Sequence, residues 1–166
     1  MRRRRGNSIL EAALFVPIVV SLLVGMVQIG KITYVYYTLR KALYTMARYV
    51  AVQQGVNFCD IADATIVAAK NFGVSGSSTE DGAEPLLPNL TTDMISIGIE
   101  RLDTASGTLG ACDCSVTGCD AAAGGRPPDF IVVSIPDGYL VSPRFLFFSI
   151  DSIPLRPQVR VPFGGT

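Results

Sequence analysis

Two hydrophobic patterns succeed one another along the first fifty-odd residues. From Ala12 to Gly30 nineteen consecutive residues carry no formal charge, and most are Val, Leu, Ile, Ala, Phe or Met. A helix of about 20 apolar residues crosses the hydrocarbon of a bilayer, so this run predicts a transmembrane helix. A secretory signal would have a shorter apolar core followed by small residues at a cleavage site. Here the run is long and ends Val27-Gln28-Ile29-Gly30-Lys31. Beyond Lys31 the pattern turns amphipathic. Ile32, Val35, Tyr36, Leu39, Leu43, Met46, Tyr49 and Val50 form one stripe, and Thr38, Lys41, Thr45 and Arg48 form another. That is helical periodicity. Gly55 supplies the stop. A single helix from Asn7 to Gln54 would be about 72 Å long at ~1.5 Å per residue. Its apolar stripe is expected to pack on the protein's own domain.

The patterns that follow are shorter. Asp60–Phe72 predicts a second helix with Ile61, Ala64, Thr65, Ala68 and Phe72 on one face, Asp60 or Asn57 as its cap and Gly73 as its end. Residues 73–93 are rich in Gly, Ser, Pro and Asp and predict a surface loop. Three or four strands are expected after it, in the runs beginning at Met94, Asp129, Arg144 and Arg156, with Pro136-Asp137-Gly138 as a turn. Short alternating runs of this kind form antiparallel sheets with one face to cover, and the amphipathic half of the long helix is the available cover. The fold class expected is α+β: a long transmembrane and amphipathic helix packed on a small antiparallel sheet. The organisation expected is a basic leader at 1–6, a span at 7–30, its amphipathic continuation at 31–54 and an extracytoplasmic domain at 55–166.

Charge adds a direction. The chain has 14 basic and 14 acidic residues, but Arg2, Arg3, Arg4 and Arg5 precede the apolar run, and the remainder carries a net charge of −4. Lys and Arg beside a span tend to stay in the cytoplasm. Four arginines before the span outweigh Lys31, Arg40 and Lys41 after it, so the N-terminus is expected inside and the C-terminal bulk outside. Overall neutrality gives no field for nucleic acid. Pro17 lies within the run; membrane helices tolerate it when the freed carbonyl finds another partner, and a kink is expected there.

The candidate chemistry is sparse. The chain has no histidine, which removes the commonest general base and metal ligand. It has no glycine-rich phosphate loop. Its four cysteines, Cys59, Cys112, Cys114 and Cys119, do not follow paired zinc spacing. No metal and no cofactor is expected, and an enzyme is not. In an oxidising compartment the cysteines predict two disulfides. Of the three connectivities, Cys112 with Cys114 is disfavoured by their separation of one residue. One of the three clustered cysteines is therefore expected to tie to Cys59 while the other two pair locally. Each bridge would contribute about 2 to 4 kcal/mol. Asn89-Leu90-Thr91 matches a glycosylation sequon, and Ser21 with Gly25 is a small-residue pair through which another helix could approach.

One residue resists the membrane reading. Glu11 stands at the start of the apolar run, where an acidic side chain costs roughly 2.5 to 3.5 kcal/mol at the bilayer centre. Gly6 followed by Asn7-Ser8-Ile9-Leu10-Glu11 resembles the processing motif of type IV pilin-like proteins, which are cut after glycine and carry glutamate fifth in the mature chain. More specifically, the first 52 residues resemble the start of the TadE family, pseudopilins of tight-adherence pilus systems. The basic leader, Gly6, Glu11, Ala13-Leu14, Pro17, Gly25, Gly30, Ala42 and Ala47-Arg48 carry the likeness. Ala12 stands where these pilins usually have an aromatic residue, and Gln28 where an acidic one is common. The rest of the chain resembles the family only through its strand-like segments and the closing Val159-Arg160-Val161-Pro162-Phe163-Gly164.

The resemblance implies cleavage after Gly6 by a prepilin peptidase. It implies partners among other pilin subunits and the assembly platform, and residence in the bacterial inner membrane or a pilus. Cutting there would remove the arginines and expose an α-amino group on Asn7. An ion pair between that amine and Glu11 would offset part of the carboxylate's desolvation cost. The competing reading is an uncleaved bitopic membrane protein whose outer domain binds within another envelope complex.

Overall fold

A computed structural model describes residues 4–78, 84–112, 114, 124–144 and 150–164, with side chains from Leu10 onward. One helix, α1 (Arg4–Ala51), runs unbroken through Pro17. The chain then turns at Gly55, whose φ of 71° suits glycine, and forms α2 (Ala64–Ser75). A short 3₁₀ turn at Thr92–Met94 leads into β1 (Ser96–Leu102). The remaining strands are β2 (Leu109–Ala111), β3 (Phe130–Ser134), β4 (Tyr139–Val141), β5 (Ile153–Leu155) and β6 (Gln158–Pro162). Among the described residues β2-β1-β3-β6 make one antiparallel sheet and β4-β5 a second, smaller one. The α+β expectation of a long apolar helix beside a small antiparallel sheet is met.

The sheet's register explains what it buries. Ile131 pairs with Ile99 on one side and Val161 on the other, and Val133 lies between Ile97 and Val159. β6 alternates buried Val159 and Val161 with exposed Gln158, Arg160 and Pro162, as its period-two pattern requires. The second half of α1 packs on β3 and β6, and on α2 from the side. Leu39, Leu43, Met46, Ala47 and Val50 from α1 meet Ile131, Val133 and Ile135 in a continuous core. Tyr36 departs from the expected stripe: it is 38% exposed, because the core begins one turn later at Leu39. Gly164 N–H donates to the Ala51 carbonyl at 2.9 Å, so the segment after β6 satisfies one of the helix's open carbonyls.

Helix α2 departs from expectation in three ways. It starts after Asp63, whose carboxylate accepts from Thr65 and Ile66 N–H at 2.8 and 3.3 Å. Asp60 instead closes its own turn with Ala62 N–H at 2.9 Å, which leaves Ile61 83% exposed. The helix passes through Gly73 and ends at Gly76, which has φ 79°. The buried face is Ile66, Ala69, Asn71, Gly73 and Val74 rather than the one predicted. Gly73 decides this rotation. A Cβ there would lie 2.0 Å from Met46 Cε and 2.2 Å from its Cγ, so the glycine is where α2 closes on α1. Phe72 is left half-buried and stacks on Tyr49 with centroids 6.0 Å apart.

The Pro136–Gly138 turn forms as expected. Gly138 has φ 83°, and a Cβ on it would come within 2.8 Å of Pro154. The described residues hold more strands than the three or four expected: β2 is fully exposed, and β4 and β5 are three residues each, too short for periodicity to register. The strand expected from Arg144 falls mostly outside the described residues, and β5 begins later, at Ile153.

Candidate functional site

The feature that calls for a function is the outer half of α1. Its most apolar eighteen residues average a hydropathy of 2.4, and none of that window is buried. Leu14, Phe15, Leu22, Met26 and Ile29 are each more than 60% exposed. A helix apolar all round belongs in the core of a large protein or in a membrane. The core of this one starts at Leu39, nine residues after the apolar run has ended.

Within this helix the residues of interest fall as follows. Arg4, Arg5, Gly6 and Asn7 lie in its first turns, and Arg2 and Arg3 lie outside the described residues. Glu11 is exposed and, among the described residues, has no ion-pair partner. Asn7 and Glu11 are four apart, hence one helical turn from each other on one face. Ser21 Oγ donates to the Pro17 carbonyl at 2.9 Å, one turn beyond the residue that lacks an N–H. Gly25 and Gly30 face open space: a Cβ added at either meets nothing within 4 Å. Nothing within the described chain therefore demands glycine at these positions, although glycine in an exposed helix costs about 1 kcal/mol relative to alanine.

Past the apolar run the exposed face changes character. Tyr34, Tyr37 and Tyr44 are exposed, with the Arg48 guanidinium 5.5 Å from the Tyr44 ring. Thr38 and Thr45 hydroxyls donate back to the carbonyls four residues earlier, at 2.9 Å each, so the two threonines of the polar stripe are satisfied by their own helix. Grooves of about 460 and 540 Å³ flank this segment, against β6 and α2 respectively. Neither holds a cluster of acids, and among the described residues no group of metal-ligating side chains occurs.

The described cysteines are held in disulfides. Cys59, just before α2, is bonded to Cys114 after β2, closing a separation of 55 residues. This is one of the cross-links from the cluster to Cys59 that the sequence allows. Loop-closure entropy puts its contribution at about 4 kcal/mol. Cys112 is disulfide-bonded too, and Cys119 lies outside the described residues. Asn89 of the sequon sits exposed in a turn with φ 62°.

Two contacts were invisible in the sequence. Gln28 Nε2 donates to the Arg144 carbonyl at 2.6 Å across 116 residues, and Tyr139 Oη donates to the Pro88 carbonyl at 2.6 Å. Burial raises the Tyr139 phenol's pKa, which keeps it a donor. Neither partner pair has a spacing or motif that could have revealed it.

Comparison with known proteins bears on this helix alone. Residues 6–48 match the family model described as TadE-like protein, in agreement with the sequence resemblance. No curated protein and no solved structure matches the chain. The match and the unburied apolar helix fit a membrane-anchored, pilus-associated protein.

Proposed function

We propose that the chain, with its TadE-like helix, is a minor pilin or pseudopilin that acts as a membrane-anchored structural subunit of pilus assembly. The observation that carries this reading is the continuity of α1. One helix holds both an apolar half that the domain leaves bare and an amphipathic half that forms the domain's core. Such an element can be held by lipid before assembly and by neighbouring helices after it, without refolding. In this reading the leader 1–6 is a cytoplasmic address, 7–30 the span, 31–54 its continuation and 55–166 the outer domain. The arginines hold the N-terminus on the cytoplasmic side of the bacterial inner membrane, and the domain stands on the far side.

Processing after Gly6 by a prepilin peptidase supplies the step that Glu11 needs. The new α-amino group on Asn7 sits one turn from the carboxylate, within one subunit or across two, and neutralises it at an apolar helix end. The openness of Gly25 and Gly30 supports close approach of a second helix there. Pro17 would kink the span. The remaining bridge would join Cys112 to Cys119. The partners are other pilin subunits and the assembly platform, and the outcome is adhesion or secretion.

Intact-mass measurement of the native protein tests processing. A chain beginning at Asn7 is expected. A chain that keeps Arg2–Arg5 in cells containing the peptidase would replace this reading with the uncleaved bitopic anchor.

A further inference from the structure

Where α1 leaves its apolar run, two segments far apart in sequence line one pocket of about 300 Å³. The helix contributes Gln28 and Lys31, and the segment after β4 contributes Ser142 and Arg144. The Gln28–Arg144 hydrogen bond fixes that segment against the last turn of the run. Lys31 is the first formal charge after nineteen uncharged residues. It stands ~4.5 Å along the axis from Gln28, at about 1.5 Å per residue. Among the described residues neither Lys31 nor Arg144 has a carboxylate within ion-pair distance. The same small sheet exposes apolar side chains: Leu140 is 59% and Ile153 37% exposed. The next turns of α1 expose Tyr34 and Tyr37, a residue type enriched where membrane meets water.

We propose that this pocket binds a phospholipid headgroup, with Lys31 and Arg144 taking the phosphate and the β4–β5 sheet resting on the leaflet through which α1 emerges. The inference rests on α1 being the membrane span. The pocket opens at the boundary of the apolar run, which is the level of lipid phosphates. A guanidinium fork and a compact ammonium suit a phosphodiester, the first by directed hydrogen bonds and the second as a point charge. The volume is on the scale of a lipid headgroup. A net-negative headgroup is favoured over a zwitterion, because the choline of the latter would face the same two cations. The bound lipid would hold the domain at one orientation to the membrane, which a single helix cannot do alone.

The test uses the full chain in nanodiscs of equal parts phosphatidylcholine and phosphatidylglycerol, with retained lipids counted by native mass spectrometry. The wild type is expected to keep phosphatidylglycerol in preference. Lys31→Gln with Arg144→Gln is expected to lower the ratio by about fivefold per cation. Arg40→Gln with Lys41→Gln removes equal charge farther along the helix and is expected to leave the ratio unchanged. Both pairs are exposed, and an intact Cys59–Cys114 bond checks the fold. Equal retention of the two lipids, or equal loss from both double variants, overturns the site. A chain that does not enter nanodiscs overturns the membrane reading and the site with it.

Discussion

Glu11 and Asp129 are carboxylates in opposite circumstances. Asp129 is bound on several sides: its side chain accepts from Leu102 N–H at 2.8 Å and meets Arg126 at 3.3 Å. Its own N–H donates to the Glu100 carbonyl, and its carbonyl accepts from Phe163, so it ties the ends of β1, β3 and β6. The Leu102 N–H, and then the Arg126 charge, hold its pKa below the ordinary carboxylate value. A folded-state pKa below the unfolded one means that ionised Asp129 stabilises the fold at neutral pH. The contribution is lost as pH falls below about 4, towards and through the lowered value. Thermal melts at neutral and strongly acid pH should therefore show Asp129→Asn destabilised at neutral pH and converging on the wild type in acid. Asp103, lowered by the Ser106 hydroxyl, keeps some acid sensitivity in the variant. Glu11 has no such bonds among the described residues, and the proposed function gives it a role in assembly. Glu11→Ala should leave membrane insertion and domain stability unchanged while impairing piliation, scored by pilus counts on cells. Normal piliation would remove Glu11 from the assembly mechanism.

At the scale of elements the contact of α2 with α1 turns on one missing atom. Met46 is fully buried and fills the space a side chain on residue 73 would need. Gly73→Ala should destabilise the domain by about 1 to 3 kcal/mol through overpacking, despite alanine's better helix propensity, as read by chemical denaturation. A neutral or stabilising result would mean that Met46 has an alternative place to go. The periodicity of residues 60–72 identified a helix but not its buried face or its start. Asp60 and Asp63 are equally good caps in sequence, and only the turn at Asp60–Asp63 and the close approach at Gly73 distinguish them. The three-residue strands β4 and β5 were illegible because each is held by the other, and β4 also by the Tyr139–Pro88 bond, not by a pattern of its own.

At the scale of the molecule α1 is one helix with two surfaces, an apolar half left bare and an amphipathic half in the core. Among the described residues every buried apolar side chain of the core lies at or beyond Leu39. Removing residues 1–30 should therefore leave a soluble, monomeric domain. Its unfolding free energy should lie within about 1 kcal/mol of the full chain's, since Gln28–Arg144 is the one side-chain hydrogen bond from residues 10–30 to the domain among the described residues. A large loss of stability on denaturant titration would show that the apolar half supports the domain. The apolar run, the arginines before it, Gly6 with Glu11, and the likeness of residues 6–48 to the TadE-like family were all legible in the sequence. They depend on local composition and short spacing, which need no partner to be read. The alternation that makes β1, β3 and β6, and the amphipathic half of α1 that covers them, were legible for the same reason. Tertiary structure alone decided the rest: the true face of α2, the choice of Cys114 as partner for Cys59, and the seating of Arg144 beside Gln28 where α1 leaves its apolar run. Each depends on contacts between residues remote in the chain, whose free energy exists only once the core has brought them together.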